Sequence, residues 1–185
     1  MKIGLTGHTR GLGKNIYDIL IKSYDIVGFS RTNGYDIQFP KKIIETLSDC
    51  DIFINNAYYK TNQSELFLEL FEKWKYLDKT IININSSCIH QSGYWAPTYV
   101  ANKKHLNNIT QSVIDKYQNK KCRIINLNLG TLDTHKNFED LNKIESSKVA
   151  EIIEWCIMQP HNIEIQQLTI LPTTQIRLSA SKLIG

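Results

Sequence analysis

Residues 1–13, "MKIGLTGHTRGLG", set a short apolar run, "KIGL", directly against a loop of small residues from Thr6 to Gly13. The run suits a buried strand, and "GKNIYDILIKSY" behind it puts Ile16, Ile19 and Leu20 on one face of a helix. A strand that turns through glycines into a helix offers backbone N–H groups at the helix N-terminus, where an anion is favoured. The glycines Gly7, Gly11 and Gly13 are spaced G-x-x-x-G-x-G. That is neither the G-x-G-x-x-G fingerprint nor a Walker loop, since Gly13-Lys14 is followed by Asn15. In the middle of this loop stands a fixed positive charge, Arg10.

Outward from the loop the same alternation repeats. "DIVGFSR" reads as a second strand and "GYDI" as a very short third. "PKKIIETLSD" is a helix with Pro40 in its first turn, where the missing N–H costs nothing. "DIFINNA" is a fourth strand, "SELFLELFEKWKYL" a helix that Ser64 would cap, and "TIININSS" a fifth strand. "TYVANKKHLNNITQSVIDKY" is the longest helix; the strand "CRIINLNLG", the helix "SSKVAEIIEWCIMQ" and a closing strand "IEIQQLTIL" follow. Strand–helix alternation implies right-handed crossovers and a parallel sheet covered on both faces. The expected fold class is α/β: one doubly wound, Rossmann-like parallel sheet of about seven strands, spanning residues 1–185 as one domain. Ligands of such sheets sit outside the carboxyl ends of the strands. The segments there, "TGHTRGLG", "SRTNG", "NNAYY", "SSCIH" and "GTLDT", are polar or small.

Composition sets the class. The 185 residues are 42% hydrophobic and 22% charged, with a net charge of +4 and no run of like charges, which argues against a nucleic-acid footprint. No apolar run reaches membrane-span length and no signal-peptide pattern opens the chain. Cys50, Cys88, Cys122 and Cys156 form no C-x-x-C pair, so they suggest idle thiols in a reducing cytoplasm rather than a zinc site or disulfides.

Arg10 has a companion. The second strand ends Ser30-Arg31, and adjacent parallel strands bring their C-terminal loops together. In dinucleotide folds that strand end faces the adenosine ribose: an acidic residue there accepts from a 2′-OH, whereas arginine accommodates a 2′-phosphate. Charge-assisted bonds to two guanidiniums are worth ~1.5 to 3 kcal/mol each, enough to prefer the phosphorylated cofactor, NADP(H).

"YVANK" puts Tyr99 and Lys103 four apart on one face of the longest helix, and "NSSC" closes the fifth strand upstream with Ser86 and Ser87. A phenol titrates near pH ~10; an ammonium ~4 Å away at an effective dielectric of ~20 lowers that by about three units. One lysine therefore makes tyrosine a working acid/base, while a serine hydroxyl orients a carbonyl.

Taken in order, "TGHTRGLG", "NNAYY", "NSSC", "YVANK" and "LGTLDT" resemble the motif series of the short-chain dehydrogenase/reductase family, over Met1 to about Thr134. The resemblance implies Tyr99 as general acid/base. Lys103 would lower its pKa and hold the nicotinamide ribose, and Ser87 would bind the carbonyl oxygen. The Ser-to-Tyr spacing is one residue shorter than is common and leaves Ser86 open. The resemblance further implies a cofactor bed of Gly7, Thr9, Arg10, Gly11, Leu12, Gly13, Ser30 and Arg31. Asp36 and Ile37 would contact adenine, Asn56 and Ala57 would lie beside the ribose, and Thr131, Leu132 and Thr134 would be near the nicotinamide. It also implies homodimers or homotetramers built on the helix of Tyr99 and the one before it.

Three departures stand out. Tyr58 replaces the last glycine of N-N-A-G, Leu129 replaces a proline, and the stretch from Asn56 to Ser87 is shorter by about a helix. The asparagine that completes the family's proton relay falls by position on Asn62, which serves equally as a loop or capping residue. His8 is a spacer; His90, Tyr94 and Trp95 are candidates for lining the substrate pocket; His105, His135 and His161 read as surface residues. Trp74 and Trp155 fall on apolar helix faces, as core or interface. The expected function is an NADP(H)-dependent oxidoreductase acting on a small carbonyl or alcohol substrate. The alternatives are a non-enzymatic NADP-binding regulator or scaffold and, behind it, an epimerase or dehydratase.

Overall fold

Short β-branched runs separated by amphipathic helices leave the chain one economical arrangement, with apolar strands stacked side by side and helices on both faces. The computed structural model describes residues 1–90, 95–135, 142–160 and 162–173. Among these, β1 (Lys2–Thr6), β2 (Asp25–Phe29), β3 (Ile52–Asn55), β4 (Thr80–Ser86), β5 (Arg123–Leu129) and β6 (Gln167–Ile170) form one sheet. Its order is β2-β1-β3-β4-β5-β6, and every neighbouring pair is parallel. The helices are α1 (Gly11–Leu20), α2 (Lys41–Leu47), α3 (Asn62–Trp74), α4 (Pro97–Lys116) and α5 (Ser146–Ile157). The Rossmann-like α/β fold is the one expected.

Two apolar layers hold the sheet. On one face Ile16 and Leu20 of α1 and Val149 and Ile153 of α5 meet Ile3, Ile54, Ile82 and Leu127. On the other, Ile43 of α2, Phe67 and Phe71 of α3 and Leu106 of α4 meet Phe53, Ile81 and Ile124. Trp74 joins this second layer, whereas Trp155 stays 54% exposed on α5. Toward the carboxyl ends of β3, β4 and β5 the second face turns polar, since Asn55, Asn83, Asn85, Asn126 and Asn128 are all buried there. Asn55 donates to Asn83 Oδ1 at 3.0 Å, and Asn83 donates to Thr110 Oγ1 on α4 at 3.1 Å. These amide bonds tie the helix layer to the sheet just where apolar packing ends, while Asn55 Oδ1, Asn85 Oδ1 and Asn126 Oδ1 are buried without a partner among the described residues.

Three details differ from expectation. "GYDI" is not a strand: Gly34 takes φ +82° after a 3-10 turn at Arg31–Asn33, and Tyr35 N–H bonds back to Ser30 O at 2.9 Å. A left-handed glycine reverses the chain, and the sheet has six strands among the described residues. Helix α3 starts at Asn62, so Ser64 sits buried in its first turn and does not cap it. The closing strand is the shorter Gln167–Ile170. No helix of the described residues is long and apolar enough to cross a membrane.

Successive strands leave β1 in opposite directions, to β2 on one side and β3 on the other. That switch point opens a crevice at the carboxyl ends of β1 and β3.

Candidate active site

The glycine loop is built as its residues dictate. Gly7 and Gly11 adopt φ of +72° and +55°, which side chains resist. A Cβ on Gly13 would fall 2.1 Å from the carbonyl oxygen of Gly7, so only glycine lets α1 start so close to the strand. Asn56, just past β3, braces the turn by donating from Nδ2 to Thr6 O at 3.0 Å. The N–H groups of Asn56 and Ala57 both bond to Thr6 Oγ1. His8 keeps the role of a filler, its ring lying on Gly28, where an added Cβ would come within 2.5 Å of it.

Beside this loop lies a cleft of about 490 Å³ lined by Gly7, Thr9, Arg10, Ser30, Arg31, Thr32, Asp36, Ile37, Asn56 and Ala57, with Tyr35, Tyr58 and Tyr59 on its walls. Nine of the expected cofactor residues are thus brought to one surface. Both guanidinium-bearing residues belong to it, from opposite loops. Gly11 and Gly13 shape the turn behind it.

A second cleft of about 220 Å³ adjoins the first, with Asn56 and Tyr58 lining both. Its lining includes Leu12, Ser86, Trp95, Tyr99, Lys103, Leu132, Thr134 and His135. Thr131 is buried beneath it, its carbonyl accepting from Ile144 N–H at 2.9 Å. Tyr94 and His161 lie outside the described residues. His90 is exposed and does not line either cleft, whereas Trp95 does.

Ser86, not Ser87, is the serine of this cleft. The pleat decides between them: Ser86 ends β4 with its side chain hydrogen-bonded to Tyr99, and Ser87 begins a 3-10 turn that buries it outside the lining. Ser86 Oγ also accepts from Cys88 N–H at 3.2 Å, which fixes the hydroxyl's position.

Lys103 is 4% exposed, and its Nζ donates to Gln63 Oε1 at 2.9 Å and to Ile84 O at 3.0 Å. Burial with only neutral acceptors pulls its pKa down to about 7. Tyr99 moves the other way. Burial pushes its phenol up to about 12, against a smaller lowering by the bond to Ser86. Lys103 Nζ stands 5.9 Å from the Tyr99 ring centroid. The expected lowering of Tyr99 by Lys103 is therefore not what this arrangement produces: desolvation of the phenol dominates, opposed only by the bond to Ser86.

Asn62 does not face this cleft; its Nδ2 donates to Glu65 at 3.1 Å in the first turn of α3. The next residue, Gln63, is the one that reaches Lys103. The family pattern points to an asparagine and not to Gln63, whose signal in the sequence is a glutamine in the first turn of a helix that starts at the sheet's polar end. In the sequence Tyr58 stands out only as the replacement of a glycine. Its ring packs edge to face on Tyr99 with centroids 5.0 Å apart, and its hydroxyl accepts from Asn102 Nδ2 at 3.0 Å. Trp95 continues the chain of rings, 5.5 Å from Tyr99 and 6.0 Å from His135.

The fold is shared with known proteins. No family model matches the chain, and no curated protein matches it. Solved structures do. A 3-alpha-hydroxysteroid dehydrogenase from Pseudomonas sp. B-0831 complexed with NADH superposes with a TM-score of 0.78 at 12% identity, covering 97% of this chain and 99% of that one. The closed form of a serine dehydrogenase complexed with NADP+ gives 0.76 at 16% identity, covering 94% and 96%. A short-chain dehydrogenase/reductase from Vibrio parahaemolyticus gives 0.73 at 15% identity, covering 93% and 99%. The fold is the short-chain dehydrogenase/reductase fold. At these identities it is the architecture that is shared, and the chemistry rests on the residues themselves.

Proposed function

We propose that the protein is an NADP(H)-dependent oxidoreductase of the short-chain dehydrogenase/reductase family, acting on a carbonyl or alcohol substrate. The observation that carries this reading is the meeting of Ser86, Tyr99 and Lys103 in one cleft continuous with a glycine-loop cleft that holds two arginines. The loop fits a phosphorylated dinucleotide, because Gly7, Gly11 and Gly13 clear the space that side chains would fill and leave N–H groups at the start of α1. Arg10 and Arg31 suit a 2′-phosphate, Asp36 and Ile37 the adenine, and Asn56, Ala57, Lys103, Leu132 and Thr134 the nicotinamide riboside. The NADP+ and NADH bound in neighbouring structures support a nicotinamide dinucleotide as the ligand.

When bound, the cofactor supplies or takes up the hydride. The chain's residues handle orientation and the proton. Ser86 Oγ donates to the substrate carbonyl oxygen and so holds it beside the Tyr99 hydroxyl. Tyr99, held protonated at neutral pH, gives its proton to that oxygen as negative charge develops. Lys103, near half-protonation at neutral pH, exchanges a proton with the tyrosinate side of the cleft. Trp95 and Tyr58 exclude water from these groups.

A second reading, a non-enzymatic NADP-binding regulator, draws on one observation: the Tyr58 ring lies against Tyr99 and narrows access to it. The deciding experiment follows NADPH oxidation at 340 nm with a broad panel of aldehydes and ketones. Turnover that falls at least 100-fold in Tyr99→Phe and in Ser86→Ala, but less than threefold in Ser87→Ala, is expected. Tight NADPH binding without turnover on any substrate would establish the regulator instead.

A further inference from the structure

We infer that Gln63 is the positioning residue of Lys103, holding the lysine side chain directly in the place that sequence reasoning gave to Asn62. Gln63 is 1% exposed and uses every polar atom of its side chain. Its Oε1 accepts from Lys103 Nζ at 2.9 Å, while its Nε2 donates to Asn55 O at 2.8 Å and to Ile84 O at 2.9 Å. Asn55 returns the bond, donating from Nδ2 to the Gln63 carbonyl at 2.9 Å. The glutamine is therefore locked to the end of β3 by a reciprocal pair of amide bonds before it touches the lysine.

The fold makes this lock available. The last pair between β3 and β4 is Asn55 opposite Asn83, so the Ile84 carbonyl lies one residue past the end of β3. It accepts two side chains, Lys103 and Gln63, where a longer β3 would have supplied a backbone N–H. Because α3 begins at Asn62, soon after β3 ends, Gln63 falls in its first turn directly above that carbonyl. The short connection between Asn55 and Asn62 is what brings α3 into reach.

The chemistry of the acceptor matters as much as its position. An amide satisfies one of the three ammonium N–H groups without adding negative charge. A carboxylate there would fix the lysine as a permanent cation. Among the described residues, the groups that face Lys103 are Gln63 from α3, the Ile84 carbonyl from β4, the rings of Tyr58 and Tyr99, and the Cys88 thiol, and none of these is a carboxylate. The lysine is left free to gain and lose its proton near neutral pH.

The role in catalysis rests on the oxidoreductase reading; the hold on Lys103 does not, and the test separates them. Lysine side chains labelled with 15N are titrated by NMR, with Lys103 assigned by its loss in Lys103→Met. In the wild type Lys103 is expected to titrate close to pH 7. Gln63→Met keeps the volume but removes the acceptor, and should lower the midpoint by at least half a unit. It should reduce kcat more than tenfold while leaving KM for the carbonyl substrate within threefold. Gln63→Glu, nearly isosteric and the fallback should the methionine variant not fold, should raise the midpoint by a unit or more and move the pH–rate profile with it. A folded Gln63→Met or Gln63→Glu protein whose Lys103 midpoint stays within 0.2 units of wild type overturns the inference. A moved midpoint in a protein that reduces no carbonyl leaves the hold on Lys103 standing and sinks the oxidoreductase reading.

Discussion

The ring of Tyr58 meets the ring of Tyr99 edge to face, 5.0 Å between centroids, and forms part of the wall shared by both clefts. Burial pushes the Tyr99 phenol up to about 12, and the Tyr58 ring is one of the groups packed on it. Truncation in Tyr58→Ala uncovers Tyr99, reduces its desolvation and moves its midpoint down toward the ordinary ~10. Ultraviolet difference titration at 295 nm, with Tyr99→Phe as the blank, checks this; an unmoved midpoint would show that Tyr58 is not the shield.

On the proposed reading, cofactor choice is expected to rest on Arg10 and Arg31. Each guanidinium is expected to contribute ~1.5 to 3 kcal/mol to a 2′-phosphate, or roughly 10- to 150-fold in Kd. Arg10→Ala and Arg31→Ala should each weaken NADPH by about that factor and change NADH by less than threefold, read by quenching of tyrosine and tryptophan fluorescence. Equal losses for both cofactors would move the arginines from the adenosine end to the pyrophosphate.

Lys103 makes stability depend on pH in a direction opposite to that of an ordinary salt-bridged lysine. Its pKa is about 7 in the fold against 10.5 unfolded, so across that interval the unfolded chain binds the extra proton. Stability therefore rises with pH from about 7 upward, by as much as ~1.4 kcal/mol per unit, and the gain is lost as pH falls back to 7. Burial holds the thiols of Cys50 and Cys122 at about 11 and about 12 against 9.0, and these act in the opposite sense above 9. The clean window is from about 7 to just under 9. Circular dichroism melts across it should show Tm climbing in the wild type and staying level in Lys103→Met.

Gly13 leaves no room for a side chain, because its Cβ would meet the Gly7 carbonyl oxygen at 2.1 Å and Asn56 Nδ2 at 2.6 Å. Gly13→Ala must push α1 away from the loop, at a cost of about 1 to 3 kcal/mol or more. Urea unfolding checks the stability loss, and a parallel NADPH titration should find binding weakened at least tenfold.

Much of this molecule is legible in its one-dimensional order. Apolar runs and 3.6-residue periodicity predict the strands and helices because both depend on near neighbours. Gly7, Gly11 and Gly13 declare a tight strand-to-helix turn for the same local reason. Tyr99 and Lys103 share a face because an α-helix places residues four apart together. The choice between Ser86 and Ser87 was not legible, since it turns on where the strand's pleat stops and a 3-10 turn begins.

What the sequence determines alone, then, is the alternating α/β plan, the glycine turn, and the pairing of Tyr99 with Lys103, all consequences of short-range backbone geometry. Tertiary structure decides what surrounds them. The early end of β3 exposes the Ile84 carbonyl, the short link to α3 sets Gln63 onto it, and Tyr58 folds over Tyr99. Those contacts join residues 21 to 41 positions apart, and only packing, which excludes water and so sets each group's proton affinity, brings them within reach.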